Sequence, residues 1–156
     1  MHTITIADKA ELAEILKSCS TCFVAFVDQD APYVVPMNFG YDGEYVYLHS
    51  GKAGRKWEAV TANPRVCISW MLGDDIVAQD ERVGCSYRVA SKTVMLEGNL
   101  ELVDDYEEKL HCLHMLMGQY SEREFQFNRP AVENVGIMRI AAQNLVGKHF
   151  GVKPKR

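Results

Sequence analysis

Residues 33–66 read YVVPMNFGYDGEYVYLHSGKAGRKWEAVTANPRV, and this stretch decides the fold. Two strand-like runs, residues 33–39 and 45–49, flank the dipeptide Asp42-Gly43. An Asp-Gly pair between β-branched and aromatic residues predicts a β-hairpin. Pro36 lies inside the first run and cannot donate a backbone hydrogen bond. We therefore expect that run at a sheet edge, at a bulge or beside a ligand.

The loop after the second run combines small and cationic residues. It reads Ser50-Gly51-Lys52-Ala53-Gly54-Arg55-Lys56 and opens a predicted helix. Small residues let backbone N–H groups approach a ligand closely, and a helix N-terminus attracts anions. The chain as a whole has a formal net charge of -4, so three clustered cations depart from the background. We interpret the loop as a phosphate grip, with a solvated, charged turn as the alternative.

The remaining pattern predicts strands with helices inserted between them. Residues 8–18 form an amphipathic helix with Leu12, Ile15 and Leu16 on one face. Residues 73–84 carry acidic side chains and little periodicity, and are expected to form a mobile loop. A meander is predicted from three strand-like runs, at residues 22–27, 33–39 and 45–49. The other predictions are a helix at 56–62, a strand at 65–71, a long strand or bent pair at 87–103, a helix at 104–120 and a strand at 136–142.

About six strands with interspersed helices favour a small antiparallel barrel of the α+β, mainly β class. The chain has no G-x-G-x-x-G after a strand and no G-x-x-x-x-G-K-[ST], so neither a Rossmann dinucleotide site nor a P-loop is supported. No repeat or linker divides the sequence. We expect residues 1–156 to form a single domain.

The composition indicates the class of protein and the cellular location and partners that we expect. With 156 residues, 47% of them hydrophobic and 24% charged, the chain is typical of globular proteins. No apolar stretch approaches the roughly 20 residues of a membrane span, and the first residues lack a secretory signal, so we expect a cytoplasmic protein without a membrane partner. Five cysteines at irregular spacing do not suggest a disulfide framework. Basic residues form no long stripe, so no nucleic-acid partner is expected.

Three ordered motifs carry a family resemblance. YVVPMNFGY at 33–41, YLHSGKAGRK at 47–56 and NPRV at 63–66 together resemble the pyridoxamine 5'-phosphate oxidase-like flavin-binding split barrels, in particular the 5-nitroimidazole-resistance branch. The resemblance extends more loosely through 86–88, 97–98, the helix from Asp104 and 147–148. It implies a six-stranded antiparallel split β-barrel with Greek-key connections and peripheral helices. It also implies a homodimer that holds FMN in a groove at the subunit interface, with FAD as the alternative.

The same resemblance implies the cofactor contacts. Pro36, Met37 and Asn38 would line the isoalloxazine ring. His49 and Ser50 would lie near the ribityl chain and phosphate, which Arg55 and Lys56 would clamp. The full set of cofactor-binding candidates is Pro36, Met37, Asn38, Phe39, His49, Ser50, Lys52, Arg55, Lys56, Tyr87 and Lys148.

His49 is the catalytic candidate, because an imidazole with an ordinary pKa of about 6.5 can deliver a proton during reduction. The alternative is a histidine that only hydrogen-bonds phosphate or backbone. The expected function is an FMN-dependent oxidoreductase that reduces a small organic acceptor, such as a nitroimidazole or another nitroaromatic. A non-catalytic flavin-binding or sensing module is one alternative. A haem-binding relative that uses His111, His114 or His149 is another.

Several other residues have two interpretations each. Cys19 and Cys22 form a C-x-x-C without a second pair at metal-binding spacing, which favours packing. His111 and His114 lack a carboxylate partner, so no metal site is predicted. Two pairs of aromatic residues either pack the core or cover a flavin: Trp57 and Trp70, and Phe125 and Phe127.

Overall fold

The structure is a computed structural model that describes residues 2–152. Within them are ten strands, four α-helices and one 3-10 turn, Gly84–Ser86. The strands are β1 His2–Ile6, β2 Cys22–Asp28, β3 Ala31–Met37, β4 Phe39–Tyr41, β5 Tyr45–Gly51, β6 Arg65–Ala78, β7 Tyr87–Asn99, β8 Glu101–Val103, β9 Val135–Ala141 and β10 Val146–Val152. The helices are α1 Lys9–Ser18, α2 Arg55–Ala62, α3 Tyr106–Gly118 and α4 Arg129–Asn134.

Two antiparallel sheets build the fold. The larger has six strands in the order β1-β10-β7-β6-β2-β3, and the smaller has four in the order β4-β5-β9-β8. The chain passes from the larger to the smaller sheet at Asn38, between β3 and β4, and again at Leu100, between β7 and β8. The predicted antiparallel, mainly β class is confirmed. The strands outnumber the six predicted, because β1, β10 and two three-residue strands have too little pattern to be recognised.

The core lies between the sheets and beneath the helices. Trp70 of β6 is fully buried and packs edge-on against Phe39 of β4, with ring centroids 5.5 Å apart. Helix α1 buries Leu12, Ile15 and Leu16, as its periodicity predicted, and Asp8 caps it by accepting a hydrogen bond from Ala10 N. A second apolar cluster, which includes Leu116 and Ile137, lies under α3.

The prediction of a mobile loop at residues 73–84 is wrong for the first half of that segment. Strand β6 continues to Ala78 and pairs with β7 from Asp75↔Ala90 to Ala78↔Tyr87, so the two strands form a long hairpin arm. The register shifts between Leu72 and Asp75, next to Gly73, whose φ is 86°. Backbone pairing therefore extends the strand past an irregularity that hides its periodicity.

The predicted hairpin is confirmed, but the predicted meander is wrong. Asp42 accepts hydrogen bonds from Glu44 N and Tyr45 N, and β4 pairs with β5 across this turn. Strand β3, however, pairs only with β2 and forms an edge of the larger sheet. Pro36 therefore lies in an edge strand, as expected. Helix α4 was not predicted. Over the described residues, the chain has no helix of the length and hydropathy that a membrane crossing requires.

Candidate functional site

One groove gathers six of the predicted cofactor-binding residues. Its volume is about 590 Å³, and parts of five elements surround it: the end of β3, the end of β5, the start of α2, the end of α4 and the start of β9. The lining residues are Pro36, Met37, Asn38, His49, Ser50, Gly51, Lys56, Asn134 and Val135.

Strand register fixes one wall of the groove. In the smaller sheet, His49 pairs with Ile137, Ser50 with Gly136 and Gly51 with Val135. These pairs hold the start of the cationic loop beside the junction of α4 and β9. The other wall forms where the chain leaves the larger sheet after β3. Pro36, Met37 and Asn38 lie there and line the same opening. The groove thus lies where the two sheets diverge.

His49 lines the groove, and its side chain is accessible from the opening. Its pKa is lowered, first by burial against the groove walls and second by the positive charge of Lys56. An imidazole with a lowered pKa is neutral at pH 7, and a neutral imidazole has one donor and one acceptor nitrogen. His49 can therefore exchange a proton with a bound molecule.

The side chains of Lys52, Arg55 and Lys56, the three cationic residues of the loop, point in different directions. Lys56 lines the groove. The Arg55 side chain leaves it: Nε donates to Asp28 Oδ2 at 2.6 Å, and the guanidinium lies 4.2 Å from the centroid of the Tyr33 ring. Lys52 Nζ donates to the Glu133 carbonyl at 2.9 Å. The predicted clamp of Arg55 and Lys56 on a phosphate stays a prediction, since Arg55 is held by other partners in this structure.

Three candidates lie outside the groove lining. The Phe39 side chain is fully buried against Trp70, and its backbone N–H donates to Tyr120 Oη. The Phe39 side chain is therefore not accessible from the groove, and its predicted cofactor contact stays a prediction. Tyr87 lies 47% exposed on the hairpin arm, and Lys148 is exposed on β10 opposite Thr93. Their cofactor contacts stay predictions.

The sequence analysis missed the α4 side of the groove. The pattern predicts a variable connection at residues 125–134 and a strand only from Gly136, and it places Gly51 in the cationic loop, whereas Gly51, Asn134 and Val135 line the groove. One signal was available: Asn128 caps α4 by accepting from Ala131 N, and Pro130 lies in the first helical turn. An Asn followed by Pro at that spacing is typical of a helix start.

The remaining candidates are two buried cysteines and two exposed histidines of α3. Cys19 and Cys22 are buried, and their Sγ atoms donate to the carbonyls of Met71 and Met37 at 3.5 Å each. Burial raises the pKa of both thiols, to about 12 for Cys22. Edge-on ring contacts join His111 to Tyr47 and His114 to Phe127. Among residues 2–152, no group of three His, Cys, Asp or Glu side chains could hold a metal ion.

The family described as Pyridoxamine 5'-phosphate oxidase matches residues 8–149, which is most of the chain. The chain belongs to this family. The match covers both walls of the groove and every strand except β1 and the last residues of β10. Among curated proteins, none matches the chain.

Solved structures in the same comparison agree with the fold. A protein from Bacteroides thetaiotaomicron VPI-5482, provisionally described as a 5-nitroimidazole antibiotic resistance protein, is 39% identical, with a TM-score of 0.84 over 95% of this chain and 87% of that one. An FAD and heme binding protein from Mycobacterium smegmatis has a TM-score of 0.86 at 17% identity, covering 97% and 76%. The flavocytochrome Anf3 from Azotobacter vinelandii has 0.83 at 22%, covering 97% and 72%. These last two show the shared split-barrel fold alone.

Proposed function

We propose that this protein is a flavin-dependent oxidoreductase that holds FMN in the groove and reduces a small organic acceptor. The observation that carries the proposal is the convergence of Pro36, Met37 and Asn38 with His49, Ser50 and Lys56 around one opening. The first set lies where the chain leaves the larger sheet, and the second lies at the end of β5 in the smaller sheet and at the start of α2. Family membership supports a flavin as the ligand.

The residues of the groove fit a flavin mononucleotide. A volume of about 590 Å³ lies within the roughly 300–1,000 Å³ typical of sites for small molecules. Pro36 and Val135 offer apolar surface for a planar ring, and Asn38 offers an amide for its hydrogen-bonding edge. Met37 also lines the groove, but it is only 5% exposed. Lys56 supplies positive charge for a phosphate. FMN, rather than FAD, is the cofactor we propose, because its terminal phosphate matches the positive charge of Lys56.

FMN would supply the electron-transfer chemistry, and the chain's own residues would bind, orient and handle protons. Lys56 would balance the charge of the phosphate, and burial, the larger of the two causes, would still keep the pKa of His49 low. His49, neutral at pH 7, accepts or returns a proton at a ring nitrogen while the acceptor is reduced. For the acceptor we propose a nitroimidazole or another nitroaromatic, by analogy with the relative at 39% identity.

We also propose that two copies associate through the outer face of the larger sheet. Strand register places Pro36, Phe23, Ser69, Met95 and Val146 in one row across five strands. Phe23 is 49% exposed, Met95 42% and Val146 52%. Apolar side chains that are exposed together typically mark an interface. Because Pro36 belongs to both the row and the groove, this homodimer would place each groove at the subunit boundary.

The function is tested with the purified protein in three steps. Absorbance should show an oxidised flavin, and release by heat should yield FMN. NADH or NADPH under anaerobic conditions should bleach the flavin, and a nitroimidazole should restore it. A flavin that no acceptor reoxidises would refute the enzyme and favour a sensing module. A Soret band would favour a haem-binding relative. A colourless protein that takes up no added FMN would refute the proposal altogether.

The homodimer is tested by measuring the mass of the protein in solution. Phe23→Glu and Met95→Glu each place a charge in the outer row and should shift the dimer toward monomer. Leu102→Glu is the matched control, since Leu102 is 38% exposed on the smaller sheet. A wild-type monomer, or a dimer that both variants leave intact, would refute the proposed interface.

A further inference from the structure

We propose that Tyr120 is a positioning residue of the groove: its hydroxyl fixes the peptide unit that follows Asn38 and so presets the wall that would face the flavin ring. The inference rests on the proposed function, because a preset wall matters only if a ring binds in the groove. Tyr120 lies outside the groove lining, two residues after the end of α3. The sequence pattern placed it only at the end of the predicted helix at 104–120.

Asn38 lines the groove without belonging to a strand. Met37 is the last residue of β3 and pairs with Cys22, whereas Phe39 is the first residue of β4 and pairs with Leu48. Asn38 lies between them and is exposed at the opening. The hydrogen bonds of the two sheets do not set the backbone angles of this crossover residue, so other contacts must direct its amide.

One hydroxyl group supplies the contact at this crossover. Tyr120 Oη accepts a hydrogen bond from Phe39 N at 2.9 Å and donates one to the Ser20 carbonyl at 3.0 Å. A tyrosine hydroxyl has one donor hydrogen and also accepts, so both bonds form together. The Phe39 N–H belongs to the peptide unit that joins Asn38 to Phe39. Because N–H and C=O point in opposite directions in a trans peptide, this bond directs the Asn38 carbonyl away from Tyr120.

The segment that carries Tyr120 is itself held in place. A Cβ atom at Gly40 would lie 2.6 Å from the Met115 carbonyl oxygen, so α3 rests directly on the backbone of β4. Gln119 Nε2 donates at 2.9–3.2 Å to three carbonyls at the end of α1, those of Leu16, Lys17 and Cys19. Gln119 therefore joins α3 to α1, while Tyr120 also reaches the crossover. Substitutions at these two neighbouring residues can separate the two roles.

Loss of the hydroxyl should loosen the crossover more than it destabilises the protein. The Phe39 N–H would lose its partner, and a buried donor without a partner is costly. Tyr120 is 39% exposed, however, so a water molecule can take the place of the hydroxyl. Such a water satisfies the donor but, unlike Oη, is not attached to α3. The direction of the Asn38 amide is then no longer set by the fold.

The test compares Tyr120→Phe, which removes only the hydroxyl, with Gln119→Met, which removes the contacts to α1. In titrations of flavin-free protein, Tyr120→Phe should weaken FMN binding about threefold to tenfold, the loss expected for one neutral hydrogen bond. Riboflavin binding should weaken by the same factor, because riboflavin shares the ring. At saturating FMN, the visible circular dichroism of the bound flavin should differ from that of wild type. Gln119→Met should lower stability in chemical denaturation and leave affinity and spectrum unchanged.

A Tyr120 that only stabilises the fold predicts other results. If Tyr120→Phe left flavin affinity and spectrum unchanged, or if Gln119→Met changed them as much, the proposal would be overturned. Wild-type protein that binds neither flavin would refute the proposed function, on which this role rests. Hydrogen exchange in flavin-free wild type covers a variant that does not fold: the Phe39 amide should be protected before FMN is added. Rapid exchange of that amide would overturn the proposal, because the wall would not be preset.

Discussion

A Cβ atom at Gly136 would lie 2.5 Å from Cζ3 of Trp57, so the indole of α2 rests directly on the backbone of β9. This contact holds the start of α2, with Lys56, beside the groove wall formed by Ser50 and Val135. The absence of a side chain at residue 136 thus sets the distance between helix and strand. Trp57 therefore packs within the protein, and this contact does not support the alternative that Trp57 covers a flavin.

Gly136→Ala should therefore destabilise the protein. Overpacking a tight contact of this kind typically costs about 1–3 kcal/mol, and chemical denaturation would measure the loss. Gly118→Ala is the control, because a Cβ there meets nothing within 4 Å. In a Trp57→Leu background the cost of Gly136→Ala should shrink, since the clashing ring is gone. Equal costs in the two backgrounds would contradict the direct contact.

The pKa of His49 should depend on Lys56. An NMR titration of wild-type protein should place it below the ordinary value of about 6.5, because both burial and the Lys56 charge lower it. Lys56→Met should raise it only part of the way, since burial remains the larger cause. Lys17→Met, which removes an exposed lysine from α1, is the control and should not move it. A His49 pKa that is the same with and without Lys56 would place the two side chains farther apart than the groove requires.

The same pKa direction predicts how stability depends on pH. When the folded-state pKa of a histidine is lowered, the unfolded chain binds its proton first as pH falls through about 6.5. His49 therefore costs no stability at pH 7.5 and destabilises the folded state increasingly below pH 6.5. The free energy of unfolding should fall less between pH 7.5 and 5.5 in His49→Gln than in wild type. Parallel pH profiles for the two proteins would contradict a lowered pKa.

The sequence predicted those parts of the fold that local chemistry specifies. Asp42-Gly43 marked the hairpin, Pro36 marked an edge strand, and the spacing of Leu12, Ile15 and Leu16 marked α1. It did not predict partners that are distant in the chain. Strands β1 and β10 are stabilised mainly by pairing with one another and with β7, and residues 74–78 form a strand because β7 lies beside them.

The candidate site, like the fold, could be predicted from the sequence only in part. The motifs located six lining residues, because the family resemblance depends on short segments around Pro36 and His49. They could not show that Arg55 turns away toward Asp28, since that ion pair joins residues 27 positions apart.

Arg55→Lys tests the predicted phosphate clamp: if Arg55 leaves Asp28 and Tyr33 to bind the phosphate, the substitution should weaken FMN binding severalfold with little effect on stability. The Arg55–Asp28 pair is at the surface, with the arginine side chain 56% exposed, and such pairs contribute less than about 1 kcal/mol. A lysine cannot stack on Tyr33 or present a planar fork to phosphate oxygens. Arg82→Lys is the matched control, because Arg82 pairs with Asp80 at the tip of the hairpin arm. Unchanged FMN affinity in Arg55→Lys would remove Arg55 from the phosphate site.

The cysteines should differ sharply in reactivity. Cys85 is exposed and Cys67 half-buried, whereas Cys19, Cys22 and Cys112 are buried. Burial raises the pKa of Cys22 to about 12 and that of Cys112 to about 11. At pH 8 a thiol with a pKa of about 12 is ionised in about one molecule in ten thousand, and only the thiolate reacts. A thiol reagent should therefore modify Cys85 first and Cys67 more slowly, and reach the other three only on unfolding.

Cys85→Ser makes this expectation specific, since it should remove the fast phase and leave the rest of the time course unchanged. The result also decides between the two interpretations of Cys19 and Cys22. A packed pair resists mild oxidation, because each Sγ is engaged with a carbonyl and neither thiol ionises readily. A fast phase that survives in Cys85→Ser, or a Cys19–Cys22 disulfide formed in the folded protein by a mild oxidant, would assign a redox role to this C-x-x-C.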